Sequence, residues 1–191
     1  MAILTGAEIK RQVEAQRLFI DDFDESRLNP NSYNLRLDLY SLRFIHPNAV
    51  LDAARKSEAK FNELAKLEFI EDAELGITKV RLMKNVLYLG ATVEKTFSPY
   101  YAPMIVGRSS LARLGVSVHQ TAGFGDIGFN GHWTLEFTCT NDTFLYDKME
   151  IAQIYFFEPV GDYAKLYDGK YQNNSGVQTS KLYEEFDSEK V

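Results

Sequence analysis

The residues with the clearest potential for chemistry lie in two short segments, 107–115 and 131–137. The first reads GRSSLARLG and places two arginines and two hydroxyls within about one helical turn. Free amides and serine hydroxyls at a helix start bind anions, and arginine adds forked hydrogen bonds to phosphate oxygens. A serine N-cap beside surface arginines is, taken alone, the more common explanation. The segment therefore indicates either a polyphosphate site or an ordinary cap.

The second segment carries a lone carboxylate, Glu136, in an otherwise apolar strand. Successive side chains of a strand point to opposite faces. One face is predicted to hold Trp133, Leu135, Phe137 and Cys139, and the other His132, Thr134, Glu136 and Thr138. A glutamate is usually solvated. If the polar face lines a closed pocket instead, Glu136 can act as general acid and base, with a dry pocket raising its pKa.

Two further segments have both a structural and a functional interpretation. The glycine-rich run 124–131 contains Asp126 and is either a plain turn or a loop that brings its backbone close to a ligand. Residues 167–174 combine Tyr167 and Lys170 with rings and amides. They are either a disordered tail or a flap that closes over a nucleotide.

Composition limits the class of protein. The 191 residues suit one domain, 1–191, and 21 Lys and Arg against 27 Asp and Glu give a net charge of −6. That balance argues against nucleic acid as a partner. A single cysteine, Cys139, rules out an internal disulfide and fits a reducing compartment. Neither a signal peptide nor a membrane-length apolar run is apparent, so we expect a cytoplasmic protein without a membrane partner.

Known cofactor motifs are not found in the sequence. The histidines His46, His119 and His132 do not form a metal-ligand pattern, and the H-x-E and P-C-x-x-C signature of zinc-dependent deaminases is missing. There is also no Walker loop and no dinucleotide fingerprint. We therefore expect no zinc and no metal ligands from protein side chains.

The elements that must position these residues are mainly strands. Thr5 and Glu8 have capping-box spacing, which predicts a helix over about 5–16, and alternation predicts a strand over 33–39. Residues 52–66, rich in Ala, Lys and Glu, predict a helical or mobile insertion. Further strands are predicted at 79–82, 86–95, 102–106, 116–119, 132–139 and 149–157. This spacing favours an all-β barrel or sandwich, with a polar tail from about 163 lying over a surface or a neighbour.

Taken together, these segments resemble the dCTP deaminase family of the deaminase and dUTPase superfamily. The resemblance rests on ordered motifs at consistent spacing and covers most of the chain, with residues 48–77 unlike the family core. The motifs are NSYNLRL at 31–37, VGRSSLARLG at 106–115, TAGFGD at 121–126, TLE at 134–136, IAQ at 151–153 and GKYQ at 169–172.

The resemblance implies a fold, an assembly and a reaction. The fold would be a distorted β-barrel of the dUTPase-like, β-clip type with a few short helices. The assembly would be a homotrimer with active sites between subunits. The reaction would be zinc-independent hydrolytic deamination of dCTP to dUTP and ammonia in pyrimidine deoxynucleotide biosynthesis. A Mg²⁺ ion would accompany the triphosphate.

The resemblance also implies residue roles. Glu136 would be the general acid and base, Ser109 and the Ala122 carbonyl would hold the attacking water, and Arg113 would assist near the ring. Arg108, Ser110 and Lys170 would hold phosphates, with Tyr167 nearby, and Asp126 would contact the deoxyribose. The implied nucleotide-binding set is Arg108, Ser109, Ser110, Leu111, Ala112, Arg113, Asp126, Thr134, Leu135, Glu136, Gln153, Tyr167, Lys170 and Asn174.

Some positions depart from the family pattern and leave the product open. Ile127 replaces a usual proline, Asn34 a frequent aspartate and Asn174 a common glutamine. Gly123 occurs often in bifunctional members that continue to dUMP and pyrophosphate. Our main prediction is a dCTP deaminase that releases dUTP. The alternatives are a bifunctional dCTP deaminase/dUTPase, a dUTPase without deaminase activity, and a non-catalytic nucleotide sensor.

Overall fold

Strands dominate the computed structural model, which describes residues 2–45, 48–56 and 67–186. The helices in these ranges are α1 (Gly6–Glu14) and α2 (Ser109–Ala112), together with two short 3₁₀ turns, Glu25–Arg27 and Leu182–Glu185. The strands are β1 (Ala2–Ile3), β2 (Phe19–Ile20), β3 (Tyr33–Phe44), β4 (Phe69–Asp72), β5 (Ile77–Leu82), β6 (Tyr88–Phe97), β7 (Ala102–Gly107), β8 (Val116–Val118), β9 (Asn130–Cys139), β10 (Thr143–Tyr146) and β11 (Glu150–Glu158). No helix in the described ranges is long and apolar enough to cross a membrane.

Two antiparallel sheets organise these strands. The larger has the order β1-β11-β3-β6-β9-β8, with β2 also paired to β6 and β7 to β11. Its register shifts within the β3–β6, β6–β9 and β11–β3 pairs. Shifts of this kind bend and twist a sheet, which here curls around its apolar face. The smaller sheet has the order β10-β5-β4.

The predicted strands are confirmed with shifted ends, and the predicted mainly-β class is confirmed with them. The strand predicted at 33–39 continues to Phe44. Strands β1, β2, β4 and β10 were not predicted, because two to four residues are too short to show alternation. The predicted helix at 52–66 is not present at 52–56, which form turns and bends. The rest of that prediction, 57–66, lies outside the described residues.

The first helix begins as its capping sequence predicts. The Thr5 hydroxyl accepts the Glu8 amide N–H at 3.3 Å, and α1 runs from Gly6 to Glu14. The Glu8 carboxylate does not close the reciprocal half of the capping box. It accepts a hydrogen bond from the Gln12 side chain and pairs with Arg11 instead. One capping bond therefore replaces the two that the spacing predicted.

The apolar core fills the concave side of the curled sheet. It is contributed chiefly by alternate residues of the central strands. Fully buried members include Tyr33, Leu35, Leu37, Leu39, Tyr88, Leu135, Phe137, Ile151, Ile154 and Phe156. Each such side chain stabilises the fold by about 1.5–3 kcal/mol through its removal from water. The core thus fixes which face of β9 and β11 remains for polar groups.

A buried ion cluster ties the N-terminal segment to the main sheet. Glu94 on β6 is 0 % exposed and accepts hydrogen bonds from Arg27 Nη1 at 2.7 Å and Arg36 Nε at 2.6 Å. The Arg36 backbone N–H donates to the other Glu94 oxygen at 2.8 Å. Because both oxygens are satisfied, the carboxylate is tolerated inside the protein.

Replacing Glu94 with glutamine should lower the free energy of unfolding by about 3–5 kcal/mol, because Arg27 and Arg36 lose their buried counter-charge. Urea denaturation at matched protein concentration measures this loss. The matched control is Glu14→Gln at the exposed Lys10–Glu14 pair, where N and O lie 3.8 Å apart, with an expected change below about 1 kcal/mol. Equal losses in both variants would contradict the assigned role of the cluster.

Candidate active site

The polar face of β9 lines a cavity. Alternation along this strand is as predicted, since Trp133, Leu135, Phe137 and Cys139 are buried in the core. His132, Thr134 and Glu136 face the cavity and are half-buried. The strand is held in this orientation by pairing with β6 on one side and β8 on the other. The periodicity of the strand therefore places the carboxylate where a ligand can reach it.

The cavity has a volume of about 510 Å³, which suits a ligand of nucleoside or nucleotide size. Its walls combine aromatic rings, an apolar end and a few polar groups. The aromatic and apolar lining includes Ile45, Leu51, Leu87, Leu89, Phe124, Phe129, Trp133, Tyr167 and Tyr171. The polar lining includes His119, Asp126, His132, Thr134, Glu136, Asn174, Gln178, Thr179 and Ser180. Flat rings beside convergent polar groups fit a base and a sugar.

Glu136 is held by His119, a contact that the sequence analysis missed. His119 Nδ1 lies 2.8 Å from Glu136 Oε2, an ion-pair contact without the direction of a good hydrogen bond. The opposite ring nitrogen, Nε2, lies 3.0 Å from the Ala122 carbonyl oxygen. The imidazole ring therefore lies between two oxygen atoms, one from the Glu136 carboxylate and one from the Ala122 main chain. His119 thus lies between the carboxylate and the carbonyl that, by the family resemblance, is expected to hold the attacking water.

The pKa of Glu136 is lowered, which corrects the expectation that a dry pocket raises it. Burial is the largest single influence and does raise the pKa of this carboxyl. The contact with the His119 ring and the backbone N–H of Gln120 act in the other direction and outweigh burial. The group is therefore ionised at neutral pH and ready to accept a proton.

Backbone geometry fixes the loop that carries His119 and Ala122. His119 has φ of 65°, a left-handed conformation that non-glycine residues adopt at a cost of about 1–3 kcal/mol. Its amide N–H donates to the Glu136 carbonyl at 2.8 Å, which pins the loop to β9. At Gly123 a Cβ would lie 2.2 Å from the Ile105 carbonyl oxygen, so the close approach to β7 requires glycine.

The predicted glycine-rich turn joins β8 to β9 and places Asp126 in the cavity wall. A Cβ at Gly125 would meet the Trp133 ring at 2.5 Å, so glycine permits the loop to pack on the aromatic wall. Asp126 also lines an adjoining cavity of about 930 Å³, which runs beside Phe157 and Tyr163. The turn is therefore both a connector and part of the site.

The C-terminal segment lies over the polar face of β9. The Gln178 amide N–H donates to Thr134 Oγ1 at 2.9 Å, and the Asn173 amide N–H donates to the Asn130 carbonyl at 2.8 Å. The Tyr167 ring packs against Phe129 with centroids 6.1 Å apart. Asn174 lines the cavity, and its buried side-chain oxygen has no partner among the described residues.

The Arg/Ser segment lies away from this cavity. Helix α2 has 4 residues, its N-cap is Arg108, and no side chain caps it, so the expected serine cap is wrong. Ser109, Ser110, Ala112 and Arg113 are exposed, whereas Leu111 is in the core. The described lining of the cavity contains no residue of 108–113 and does not contain Gln153. The predicted site residues therefore fall into two spatially separate groups.

Two other predicted residues lie outside the cavity wall. Leu135 is fully buried in the core and is not part of the cavity lining. Lys170 is not part of the lining, and its Nζ lies 2.5 Å from Glu185 Oε1. A phosphate that binds Lys170 must therefore share this amine with Glu185 or displace it.

Comparison with known proteins identifies the class. A family model described as "dCTP deaminase-like" matches residues 3–159. Proteins named "dCTP deaminase, dUMP-forming" from Hathewaya histolytica and Cytophaga hutchinsonii are 44% and 43% identical over 185 residues. Each alignment covers 97% of this chain and 99% of the relative. The fold, the site and these matches define a hydrolase of the dCTP deaminase class.

The chain belongs to the dCTP deaminase-like family, and the resemblance drawn from its motifs is confirmed. The crystal structure of a 2′-deoxycytidine 5′-triphosphate deaminase from Agrobacterium tumefaciens superposes with a TM-score of 0.59 at 18% identity. That match covers 81% of this chain and 47% of the other chain, so this chain spans about half of that protein. The likeness supports the fold.

Replacing His119 with alanine should raise the pKa of Glu136, because burial is then opposed only by backbone N–H groups. Since the carboxylate is the active form, the acidic limb of the pH–rate profile should move to higher pH. The turnover rate should also fall roughly 10- to 100-fold, because the carboxylate loses the contact that holds its orientation.

The matched control is His132→Ala, which removes a second histidine that lines the cavity. His132 Nδ1 receives the Gly176 amide N–H at 3.4 Å, so this change should leave the acidic limb in place. The pH dependence of kcat for both variants tests the assignment. An unmoved limb in His119→Ala, or the same shift in both, would contradict it.

Proposed function

We propose that this enzyme deaminates dCTP and then hydrolyses the resulting dUTP in the same site, releasing dUMP, ammonia and pyrophosphate. The observation that carries the proposal is the placement of Glu136 in an aromatic-walled cavity beside His119 and the Ala122 carbonyl. The dUMP-forming names of the relatives favour this product over dUTP, which our sequence analysis preferred.

The deamination step follows from the charge state of Glu136. Its lowered pKa leaves a carboxylate that takes a proton from water while the hydroxyl adds to C4 of the cytosine ring. The protonated carboxyl then delivers that proton to the ring nitrogen N3. Glu136 next takes the proton of the C4 hydroxyl and passes it to the amino group. The C4–amino bond then breaks, which releases ammonia and leaves a carbonyl at C4. The Ala122 carbonyl and the Ser109 hydroxyl orient the water, and His119 fixes the carboxylate.

Gly123 supports the second, phosphohydrolase step. The single-activity members that the sequence resembles can carry histidine at this position. Here any Cβ would collide with the Ile105 carbonyl oxygen at 2.2 Å, so this loop conformation cannot accept histidine. After deamination, the same carboxylate can activate a second water that attacks the α-phosphorus. The bond from that phosphorus to the bridging oxygen breaks, and pyrophosphate leaves.

The separation of the predicted residues supports a site shared between subunits. Ala122, Asp126, Thr134, Glu136, Tyr167 and Asn174 line the cavity, whereas Arg108, Ser109, Ser110 and Arg113 lie elsewhere. Arg113 is exposed, and its neighbour Leu114 is an apolar residue with 58% of its surface exposed. In a homotrimer, this exposed turn would approach the cavity of a neighbouring chain. Each site would then take its acid/base group and its Arg/Ser turn from different copies.

The donor set fits a magnesium ion that arrives with its substrate. No group of three or more His, Cys, Asp or Glu side chains converges on a possible metal position among the residues that the structure describes. Mg²⁺ commonly keeps several waters and binds through substrate phosphates. We therefore assign it to the triphosphate, where it would neutralise charge.

Incubation with dCTP and Mg²⁺ tests the proposal through four products: ammonia, dUTP, dUMP and pyrophosphate. We expect ammonia, dUMP and pyrophosphate in equal amounts. Accumulation of dUTP with ammonia would identify a single-activity deaminase, and binding without any ammonia would favour a nucleotide sensor. Glu136→Gln should reduce ammonia formation by about 100-fold or more and leave dCTP binding nearly unchanged, because it removes proton transfer alone.

Two inactive variants should complement each other if sites are shared. Co-expression of Glu136→Gln with Arg113→Ala should restore about a quarter of wild-type activity, the fraction of sites that receive both intact residues in a random trimer. Each variant alone should remain near background. The control is a single chain that carries both Glu136→Gln and Ser109→Ala. A trimer made only of this chain contains no intact site. No recovery in mixed trimers of verified composition would contradict shared sites.

A further inference from the structure

Three adjacent strands bring a second polar cluster to the Arg/Ser turn. Strand β11 pairs with β3 on one edge and β7 on the other, so Gln153 lies opposite both Asn34 and Val106. Arg108 follows directly after β7. The side chains of Asn34, Glu150 and Arg108 therefore meet across three backbones.

Glu150 contacts the Arg108 guanidinium through two of its oxygen atoms. Arg108 Nη2 lies 3.0 Å from Glu150 Oε2, and Arg108 Nη1 donates to the Glu150 backbone carbonyl at 3.0 Å. The register of β11 against β3 shifts between Glu150 and Ala152, and such an irregularity redirects a side chain. Two fixed contacts on one residue restrict the orientation of the planar guanidinium.

Asn34, on the neighbouring strand β3, holds the Glu150 carboxylate through a hydrogen bond. Its Nδ2 donates to the same Glu150 Oε2 at 2.9 Å. Its Oδ1 accepts from Asn29 Nδ2 at 2.8 Å and from Gln153 Nε2 at 3.3 Å. Because the amide is 5% exposed and both ends are engaged, its orientation is determined. The donor end must face a carboxylate.

The geometry points to Glu150 as a positioning residue for phosphate binding, with Asn34 as its brace. We propose that this pair sets the Arg108 guanidinium in the orientation that receives the nucleotide triphosphate. Two of its five N–H groups are directed at Glu150, and as far as the described residues go, the other three remain for phosphate oxygens. The inference rests on the proposed role of Arg108 as a phosphate ligand.

The cluster needs one negative charge, and its arrangement predicts the effect of moving that charge. Glu150→Gln removes the charge that orients Arg108. Asn34→Asp places a second carboxylate 2.9 Å from the first, and the two repel each other. Asn34→Asp combined with Glu150→Gln restores one carboxylate beside one amide, with the acceptor for Asn29 and Gln153 preserved. If the cluster had a purely structural role, the losses of dCTP binding caused by the two single changes would add up in the double variant.

The test measures equilibrium binding by calorimetry in a Glu136→Gln background, where turnover does not interfere. The two probes are dCTP and deoxycytidine, which differ in the triphosphate. Each single change should weaken dCTP binding about 5- to 20-fold and leave deoxycytidine binding within about twofold, because Arg108 contacts only phosphate. The double variant should return dCTP binding to within about threefold of the starting protein.

Three results would overturn the inference: unchanged dCTP binding in Glu150→Gln, equal weakening of both probes, or a double variant as weak as the product of its singles. Thermal unfolding of each variant identifies misfolding, and if Asn34→Asp does not fold, Glu150→Gln against Glu150→Asp tests the same contact. Binding does not depend on turnover. If the wild-type enzyme releases no ammonia from dCTP, the proposed function fails while this series still decides the role of Glu150.

Discussion

The structure depends on the two-residue periodicity of β9, held between β6 and β8. One set of alternate side chains, from Trp133 to Cys139, packs into the core and fixes the register and orientation of the strand. The opposite set must then face the cavity, so Glu136 is positioned by the core packing of its neighbours on the same strand. A slip by one residue would exchange the two sets, and the loss of core burial prevents it. The same strand also anchors the flap and the His119 loop.

The chemistry of Glu136 arises from competition between burial and neighbours. Burial alone would favour the protonated form, yet His119 and a backbone N–H lower the pKa of the carboxyl below its ordinary value. The enzyme therefore begins its proposed cycle with a base, and the protonated form exists only after the water has been split. The left-handed backbone at His119 shows that the loop accepts local strain to hold this contact.

Much of the fold could be predicted from the sequence because its long strands alternate clearly, as at 33–39 and 132–139. Short strands such as β4 and β10 carry too few residues to show a period. Within the site, Glu136, Asp126 and Tyr167 were found because motifs in a fixed order marked them. His119 was missed because a single histidine outside a metal pattern gives no local signal, and its contact with Glu136 joins the loop after β8 to strand β9. Glu150 was missed for the same reason, since its partners Asn34 and Arg108 are distant in sequence.

The attachment of the C-terminal segment to β9 has a consequence for which substitutions the segment tolerates. Its contacts with this strand include main-chain groups, among them the amides of Asn173 and Gln178 and the carbonyl of Asn174. Main-chain atoms are common to nearly all residue types, so these contacts place little restriction on the side chains of the segment. Side chains that face the cavity can therefore be exchanged while the main-chain contacts with β9 are kept.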